Sequence, residues 1–293
     1  IKKKFQKEHQ QIYTSEGFVE HNLEEIYNNL IELIKEAAEI APDPQLISIT
    51  NQRETFTLFD KLTGKPVRNA VVWQCTRGEE ICEKILNNKD YSELITQKTG
   101  LKANTFFSAS KLKWVIENEP HIKDGLIKGN ILFGTIDTYL LYRLTKCKEY
   151  VTDTTNASRT LLFNCIDNRW DNELFSIFEI EQFKLADVKS SSSNFGSSNF
   201  ENSFLKEIPI LGVAGDAQAS FFANLCFNLG DSKITTGTGF NIQTNIGTTF
   251  MKDNNAFTTL AFSHNQKNYY SLECLSSVAG ATISWLKNNL KLI

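Results

Sequence analysis

Hydrophobic residues recur along this chain at two different spacings. Between Asn22 and Pro42, apolar side chains stand three or four positions apart, which is the spacing of one face of an α-helix. Asn22 followed by Glu25 resembles a capping box, which satisfies the first free amides of a helix. The pattern therefore predicts a helix that begins after Asn22 and ends before Pro42.

Short apolar runs bounded by turn-forming residues predict strands elsewhere in the chain. They occur at Ile47–Thr50, Phe56–Phe59, Val71–Gln74, Ile131–Phe133 and Ile208–Gly215. The segment Lys233–Ile246 has the pattern of two strands joined by a turn at Gly237–Gly239. Strands are therefore spread over most of the sequence.

Helical patterns follow several of these strands. They occur at Arg77–Leu86, at Lys111–Ile116 with Pro120 as its end, at Gly134–Arg143 and in AQASFFANL after Asp216. Strands that alternate with helices indicate an α/β fold. We expect a change of domain near Asn224–Gly230, and we expect the serine-rich stretch Ser190–Ser203 to be an exposed loop without chemistry.

Composition narrows the class of protein. The chain has 293 residues, 41% of them hydrophobic, and a formal net charge of -3, which gives no reason to expect a nucleic-acid partner. No apolar run approaches the roughly 18 residues that span a bilayer, and the first residues lack the apolar core of a signal peptide. The six scattered cysteines form no CxxC pair and are expected to be reduced thiols. These features predict a cytoplasmic protein without a membrane or nucleic-acid partner.

Two polar sites follow predicted strands, and each has a structural and a functional interpretation. Arg53 and Glu54 stand side by side after Ile47–Thr50, either as a surface ion pair or as a grip on a ligand. Asp216 follows Ile208–Gly215, where a carboxylate serves as a helix N-cap or as a base at the carboxyl end of a strand. The local pattern favours the N-cap.

The remaining candidates are a tryptophan and a glycine turn. Trp73 is compatible with a place in the core. The turn Gly237-Thr238-Gly239 is typical of a hairpin, although its amides and hydroxyl could also approach a phosphate. No GxxxxGK[ST] and no GxGxxG is present, which excludes a P-loop nucleotide site.

Taken together, several long motifs resemble the glycerol kinases of the FGGY carbohydrate-kinase family, in the same order along nearly the whole chain. The motifs are ITNQRETF at Ile49–Phe56, TGKPVRNAVVWQCTR at Thr63–Arg77, FFSASKLKWVIEN at Phe106–Asn118, FGTIDTYL at Phe133–Leu140, VTDTTNASRTLLFN at Val151–Asn164, GVAGDAQAS at Gly212–Ser220, TTGTG at Thr235–Gly239 and VAGATISWL at Val278–Leu286.

The resemblance implies an α/β, actin-like (ribonuclease H-like) two-domain ATPase fold whose second domain is incomplete. Residues 1–225 would form the N-terminal domain without its first hairpin, and residues 226–293 would begin the C-terminal nucleotide-binding domain. The implied reaction moves the γ-phosphoryl group of ATP, with Mg²⁺, to a terminal hydroxyl of glycerol or a similar polyol. The implied full-length protein is a homo-oligomer.

The resemblance also assigns roles to particular residues. Arg53, Glu54 and Asp216 would hold the polyol, and Asp216 would be the general base. Trp73 would offer an apolar face to the carbon chain. Phe106 would lie near the polyol. Thr238, Gly239 and Gly280 would lie near the nucleotide phosphates. No metal ligand is identified in this chain.

The sequence departs from the family pattern at the polyol pocket. Phe106 replaces a tyrosine, Ala217 a glutamine and Asn241 an aromatic residue. A kinase for another small polyol or a ketose therefore stays open, because buried polar groups decide which hydroxyls are recognised.

The ends of the sequence raise another alternative. We expect both ends to be cut, because the chain starts at Ile1 and lacks the DxGTTS hairpin that holds phosphates in the family. We therefore expect the 293-residue chain alone to be a poor kinase or inactive. A non-catalytic polyol-binding relative also stays open.

Overall fold

Short strands and helices alternate along the chain in the computed structural model, which describes residues 1–13, 17–236, 240–253, 255–264, 267–276 and 280–292. The strands are β1 Gln11–Tyr13, β2 Val19–His21, β3 Ile47–Asn51, β4 Phe56–Asp60, β5 Ala70–Val71, β6 Ile131–Thr135, β7 Val151–Asp153, β8 Phe163–Asn164, β9 Arg169–Trp170, β10 Asp187–Lys189, β11 Ser197–Ser198, β12 Ile208–Gly215, β13 Ser232–Thr236, β14 Phe240–Gly247, β15 Phe257–His264 and β16 Lys267–Ser276. The helices are α1 Leu23–Ile40, α2 Glu79–Asn87, α3 Lys89–Thr99, α4 Ser108–Asn118, α5 Pro120–Ile127, α6 Ile136–Leu144, α7 Thr154–Ala157, α8 Asn172–Phe178, α9 Asp216–Ala223 and α10 Gly280–Trp285, and a π-helical turn follows at Leu286–Leu290. The predicted α/β class is confirmed.

An antiparallel sheet with the order β1-β2-β5-β4-β6 carries apolar side chains on both faces. Phe56 and Leu58 of β4 belong to a core shared with α2, α4, α5 and α8, whereas Phe59 belongs to a second core shared with α1 and α6. Alternate residues of one strand point to opposite faces, so a single strand feeds both cores.

Two further sheets position the polar residues of the candidate active site. In the order β11-β12-β3, strand β12 runs parallel to β3, and Gly215 lies opposite Asn51. In the order β13-β14-β16-β15, all neighbours are antiparallel. The parallel pair brings the segments after β3 and β12 to the same edge of their sheet.

The predicted helix after Asn22 is confirmed, because the Asn22 side chain accepts hydrogen bonds from the amides of Glu24 and Glu25. The helix that contains Lys111–Ile116 ends at Asn118, just before Pro120 as predicted, and Pro120 also begins the next helix. It occupies the first turn of α5, where a missing amide hydrogen costs nothing.

The expectation of an exposed loop at Ser190–Ser203 is wrong. Phe195 and Phe200 are 0% and 1% exposed in the core around α6, and β11 within this stretch pairs with β12. The serine-rich composition led to the wrong prediction, because the two phenylalanines in this stretch pack into the core.

Asp137, in the first turn of α6, is a fully buried acid. Its carboxylate accepts hydrogen bonds from the Thr135 hydroxyl at 2.6 Å and from the Thr152 hydroxyl at 2.7 Å. Burial, with the added repulsion of Asp153, raises the pKa of Asp137 to about 7. In the ranges that the structure describes, no helix is both long enough and apolar enough to cross a membrane.

Candidate active site

The parallel strands β3 and β12 bring Arg53, Glu54 and Asp216 together. Each of these residues follows the carboxyl end of its strand, which is where ligands gather in α/β folds. Nε of Arg53 lies 3.5 Å from Oδ1 of Asp216 and 3.7 Å from Oε1 of Glu54. The three side chains that the resemblance assigns to the polyol thus lie together at one edge of the sheet.

The chain turns sharply between Arg53 and Thr55. Glu54 has a φ of 61°, in the left-handed region that non-glycine residues seldom occupy. The Thr55 amide donates to the Arg53 carbonyl at 2.7 Å, and the Ser108 hydroxyl donates to the Glu54 carbonyl at 2.8 Å. These bonds fix the turn that sends the Arg53 and Glu54 side chains into the interior.

Gly215 leaves room for the Arg53 side chain. A Cβ atom at position 215 would lie 2.7 Å from Cγ of Arg53 and 2.9 Å from Oε1 of Gln218. Its φ of -60° is open to any residue, so the requirement for glycine is one of space. Arg53 therefore packs directly against the end of β12.

Asp216 is the first residue of α9, and Gly215 occupies the N-cap position. The local prediction of an Asp216 N-cap is therefore wrong by one residue. Oδ1 of Asp216 accepts a hydrogen bond from the Ala217 amide at 2.7 Å, while 59% of the side chain stays exposed. Partial burial raises the pKa of Asp216 above its ordinary value, although Arg53 opposes the rise.

Two residues that the sequence analysis missed join this site. Arg159 is 0% exposed, and its Nε and Nη1 lie 2.6 Å from Oε1 of Glu54 and 2.6 Å from Oε2 of Glu273. Glu273, also 0% exposed, places Oε1 2.9 Å from Nη2 of Arg53. Arg53, Glu54, Arg159 and Glu273 thus form a closed ring of alternating charges, which we call the charge ring.

The charge ring is neutral as a whole. Burial alone would raise the pKa of Glu273, but Arg159 and Arg53 lower it to about 2. Burial would likewise lower the pKa of Arg53, but Glu273, Glu54 and Asp216 hold it above its usual range. Because Arg53 and Glu54 are 8% and 4% exposed, their interpretation as a surface pair is wrong.

Buried polar contacts tie Arg159 to the two parallel strands. Asn51 at the end of β3 and Asn156 of α7 exchange hydrogen bonds through their amide groups, at 2.9 and 3.1 Å. The Gly215 amide donates to the Thr155 hydroxyl at 2.9 Å. The helix that precedes Arg159 is therefore fastened to β3 and to β12.

A cavity of about 420 Å³ lies against this cluster. Its lining includes Arg53, Glu54, Arg159, Asp216, Trp73, Phe106, Lys233 and Asn241. The rings of Trp73 and Phe106 stack with centroids 5.3 Å apart and planes 20° apart. The predicted polyol residues thus line one cavity with an aromatic wall, although Trp73 also packs against the core.

Asn241 makes one side of the cavity polar. Its Nδ2 donates to Oε1 of Glu273 at 2.6 Å, while its Oδ1 is buried and has no hydrogen-bond partner among the described residues. Lys233, 8% exposed, adds a cation that donates to the Ala217 carbonyl at 3.5 Å. The sequence analysis did not single out Lys233.

The predicted nucleotide positions are only partly covered. Thr238 and Gly239 lie outside the described residues, and Gly280 is the first residue of α10. Their contact with phosphates stays a prediction. No group of three or more histidine, cysteine or acidic residues in the described ranges could hold a metal ion.

Comparisons with known proteins identify the family to which the chain is similar. The model of the FGGY family of carbohydrate kinases, N-terminal domain, matches residues 1–223. Glycerol kinase of Fusobacterium nucleatum is 43% identical over 293 residues, which are 98% of this chain and 59% of that protein. Glycerol kinase of Thermococcus onnurineus is 44% identical over 292 residues, which are 98% of this chain and 58% of that protein.

Solved structures of carbohydrate kinases are also similar to this chain. The crystal structure of Plasmodium falciparum glycerol kinase with ADP superposes with a TM-score of 0.91 at 37% identity, covering 97% of this chain and 58% of that one. Gluconate kinase from Lactobacillus acidophilus has a TM-score of 0.86 at 20% identity, over 97% of this chain and 56% of that one, which shows a shared fold.

These matches show the actin-like (ribonuclease H-like) ATPase fold that the sequence predicted. The chain belongs to the FGGY family of carbohydrate kinases. It spans about 59% of the length of the curated relatives it matches.

Proposed function

We propose that the protein containing this chain transfers the terminal phosphoryl group of ATP to a terminal hydroxyl of glycerol. The observation that carries the proposal is the convergence of Arg53, Glu54 and Asp216 on a cavity with an aromatic wall. Identity of 41–44% with glycerol kinases across the chain supports glycerol as the acceptor.

The pocket suits a neutral polyol. Each hydroxyl of a polyol needs a donor and an acceptor when it leaves water, and Arg53 and Glu54 supply one of each from adjacent positions. Since the charge ring balances itself, the pocket offers charge-assisted hydrogen bonds without demanding a charged ligand. Trp73 and Phe106 would cover the carbon chain.

Asp216 has the position of a general base. Its carboxylate is exposed to the cavity, whereas the carboxylates of Glu54 and Glu273 are engaged by arginines. A raised pKa makes Asp216 a better proton acceptor as the attacking oxygen develops charge. Phosphoryl transfer otherwise depends on positioning and on neutralising charge.

The nucleotide would lie beside Asp216, toward the turn that contains Thr238 and Gly239. Mg²⁺ would neutralise phosphate charge in such a reaction. The described residues form no acidic cluster for it, so we derive no step through the ion from this chain. We also propose the division into domains at residues 1–225 and 226–293, with the nucleotide held by the second.

The test is ADP release by the full-length protein with glycerol and ATP. We expect glycerol-dependent turnover, and we expect Asp216→Asn to reduce it by at least about a hundredfold, because general-base catalysis contributes about 10²–10⁴. Asp43→Asn, which removes a carboxylate paired with Lys206 on the surface, is the matched control and should be neutral. Equal activity of Asp216→Asn and the wild type would refute the assignment of the base.

A kinase for another small polyol or a ketose is the second candidate. It is favoured by Asn241, whose amide gives the cavity a polar side, and by Phe106, which lacks a hydroxyl. The same assay with a panel of triose, tetritol and pentulose acceptors separates the two. A higher kcat/KM for one of these acceptors than for glycerol would select the second candidate.

A further inference from the structure

Lys111 is a buried lysine with an unusual set of partners. It belongs to α4 and is 0% exposed. Its Nζ donates to three backbone carbonyls, those of Thr105 at 2.5 Å, Phe106 at 2.8 Å and Trp73 at 3.4 Å. A buried ammonium costs much free energy unless its donors are satisfied, and a buried carbonyl without a donor costs free energy as well, although less.

The three carbonyls belong to the two segments that carry the aromatic wall of the cavity. Trp73 lies between β5 and α2, and Phe106 lies just before α4. These segments are far apart in sequence, yet their rings stack and line the cavity. Lys111 bonds to the main chain of both and so fixes the separation between the ring-bearing residues.

The environment of Lys111 indicates that its hydrogen bonds to the carbonyls depend more on the position of its N–H donors than on its positive charge. Burial lowers the pKa of Lys111 to about 7, against the opposing effect of the Glu54 carboxylate. The neutral amine still carries two N–H donors, so most of this contact set survives loss of the proton. A leucine or methionine would fill the space and leave the carbonyls unpaired.

We propose that Lys111 is a positioning residue for the polyol pocket, which joins the Trp73 and Phe106 segments and thereby sets the affinity for the polyol without touching it. The proposal rests on the proposed function, since it names the ligand of the aromatic wall as a polyol. Its effect passes through the two rings, so it belongs to binding rather than to phosphoryl transfer.

The experiment compares Lys111→Met with Lys113→Met in the full-length protein. Lys113 lies on the same helix and pairs with Glu117 and Glu179, away from the aromatic wall. We expect Lys111→Met to raise the KM for the polyol by about tenfold to a hundredfold, the loss expected when buried carbonyls are left without a donor, with the KM for ATP changed less than twofold. Lys113→Met should change neither constant.

A double-mutant cycle separates positioning from plain destabilisation. In a Trp73→Leu background the wall is already lost, so Lys111→Met should add little to the polyol KM. If Lys111→Met lowers the melting temperature and the active fraction but leaves the polyol KM unchanged, or if its effect adds fully to that of Trp73→Leu, the proposal is overturned. If Lys111→Met does not fold, Lys111→Gln takes its place. Because glutamine keeps an amide donor group on a shorter side chain, a smaller rise of the polyol KM is expected, and an unchanged KM or full additivity with Trp73→Leu again overturns the proposal.

Near-ultraviolet circular dichroism without any polyol gives an independent readout. The signal of the stacked pair is the difference between the wild type and Trp73→Leu, and Lys111→Met should remove much of it. A full-length protein that phosphorylates no polyol would refute the proposed function, and this signal would still show whether Lys111 holds the rings. An unchanged signal in Lys111→Met would overturn the role of Lys111 alone.

Discussion

Replacement of Glu273 by glutamine tests the charge ring directly. The change keeps the shape of the side chain and removes the negative charge between Arg53 and Arg159. Two arginines would then share the single carboxylate of Glu54 inside the protein, with Asp216 at the rim. We expect the full-length protein to lose stability at pH 7.

The size of the loss follows from the pKa of Glu273. A fall from 4.5 to about 2 corresponds to about 3 kcal/mol of unfolding free energy, since each pKa unit is worth about 1.4 kcal/mol. Breaking one partner of a buried ion pair costs about 3–5 kcal/mol, which agrees. Because Glu273 is 0% exposed, solvent screening does not reduce this value.

The measurement is denaturant unfolding of the wild type and Glu273→Gln at pH 7, with the exposed acid Glu181→Gln as control. The pKa of Glu273 also predicts how the stability changes at low pH. A carboxylate with a lowered pKa gives stability that is present above pH 4.5 and is lost as the pH falls toward about 2. The gap between wild type and variant should therefore close over that window. A loss below about 1 kcal/mol, the level of an exposed pair, would refute the ring as a stabilising unit.

Three other outcomes follow from the structure. Gly215→Ala should raise the polyol KM at least about tenfold, because its Cβ would collide with Arg53; unchanged steady-state kinetics would contradict this. Phe195→Ala should lower the unfolding free energy by about 3–5 kcal/mol in chemical denaturation, because Phe195 is buried. A near-zero loss would refute the burial of Phe195. Protonated Asp137 gives stability that is present below pH 3.8 and lost as the pH rises through about 7. Asp137→Asn should remove that decline in thermal melts, and an identical pH profile would refute the assignment.

Local patterns predicted the elements whose burial is visible in their own sequence. Strand β12 has the predicted bounds Ile208–Gly215, because its apolar run ends at a glycine and an aspartate. Helix α1 begins at its predicted cap. Helix α3, Lys89–Thr99, was missed because its many polar residues leave a weak apolar stripe.

The partners within the site were not predictable in the same way. Arg53, Glu54 and Asp216 could be singled out because each follows a strand. Arg159 and Glu273 acquire their meaning from contacts with distant segments, although an acid inside the apolar run YYSLECL is a signal that could have been used. A carboxylate in a buried strand requires a cationic partner.

The charge ring also has a consequence for how the protein folds. Arg159 bonds to partners that are 105 residues before it and 114 residues after it in the chain. Contacts between such distant residues form late, because a long loop must close before they are gained. The pocket therefore arises only when the sheet that carries Glu273 has met the strands that carry Arg53. A partly synthesised or partly folded chain therefore holds the sequence motifs without an assembled pocket.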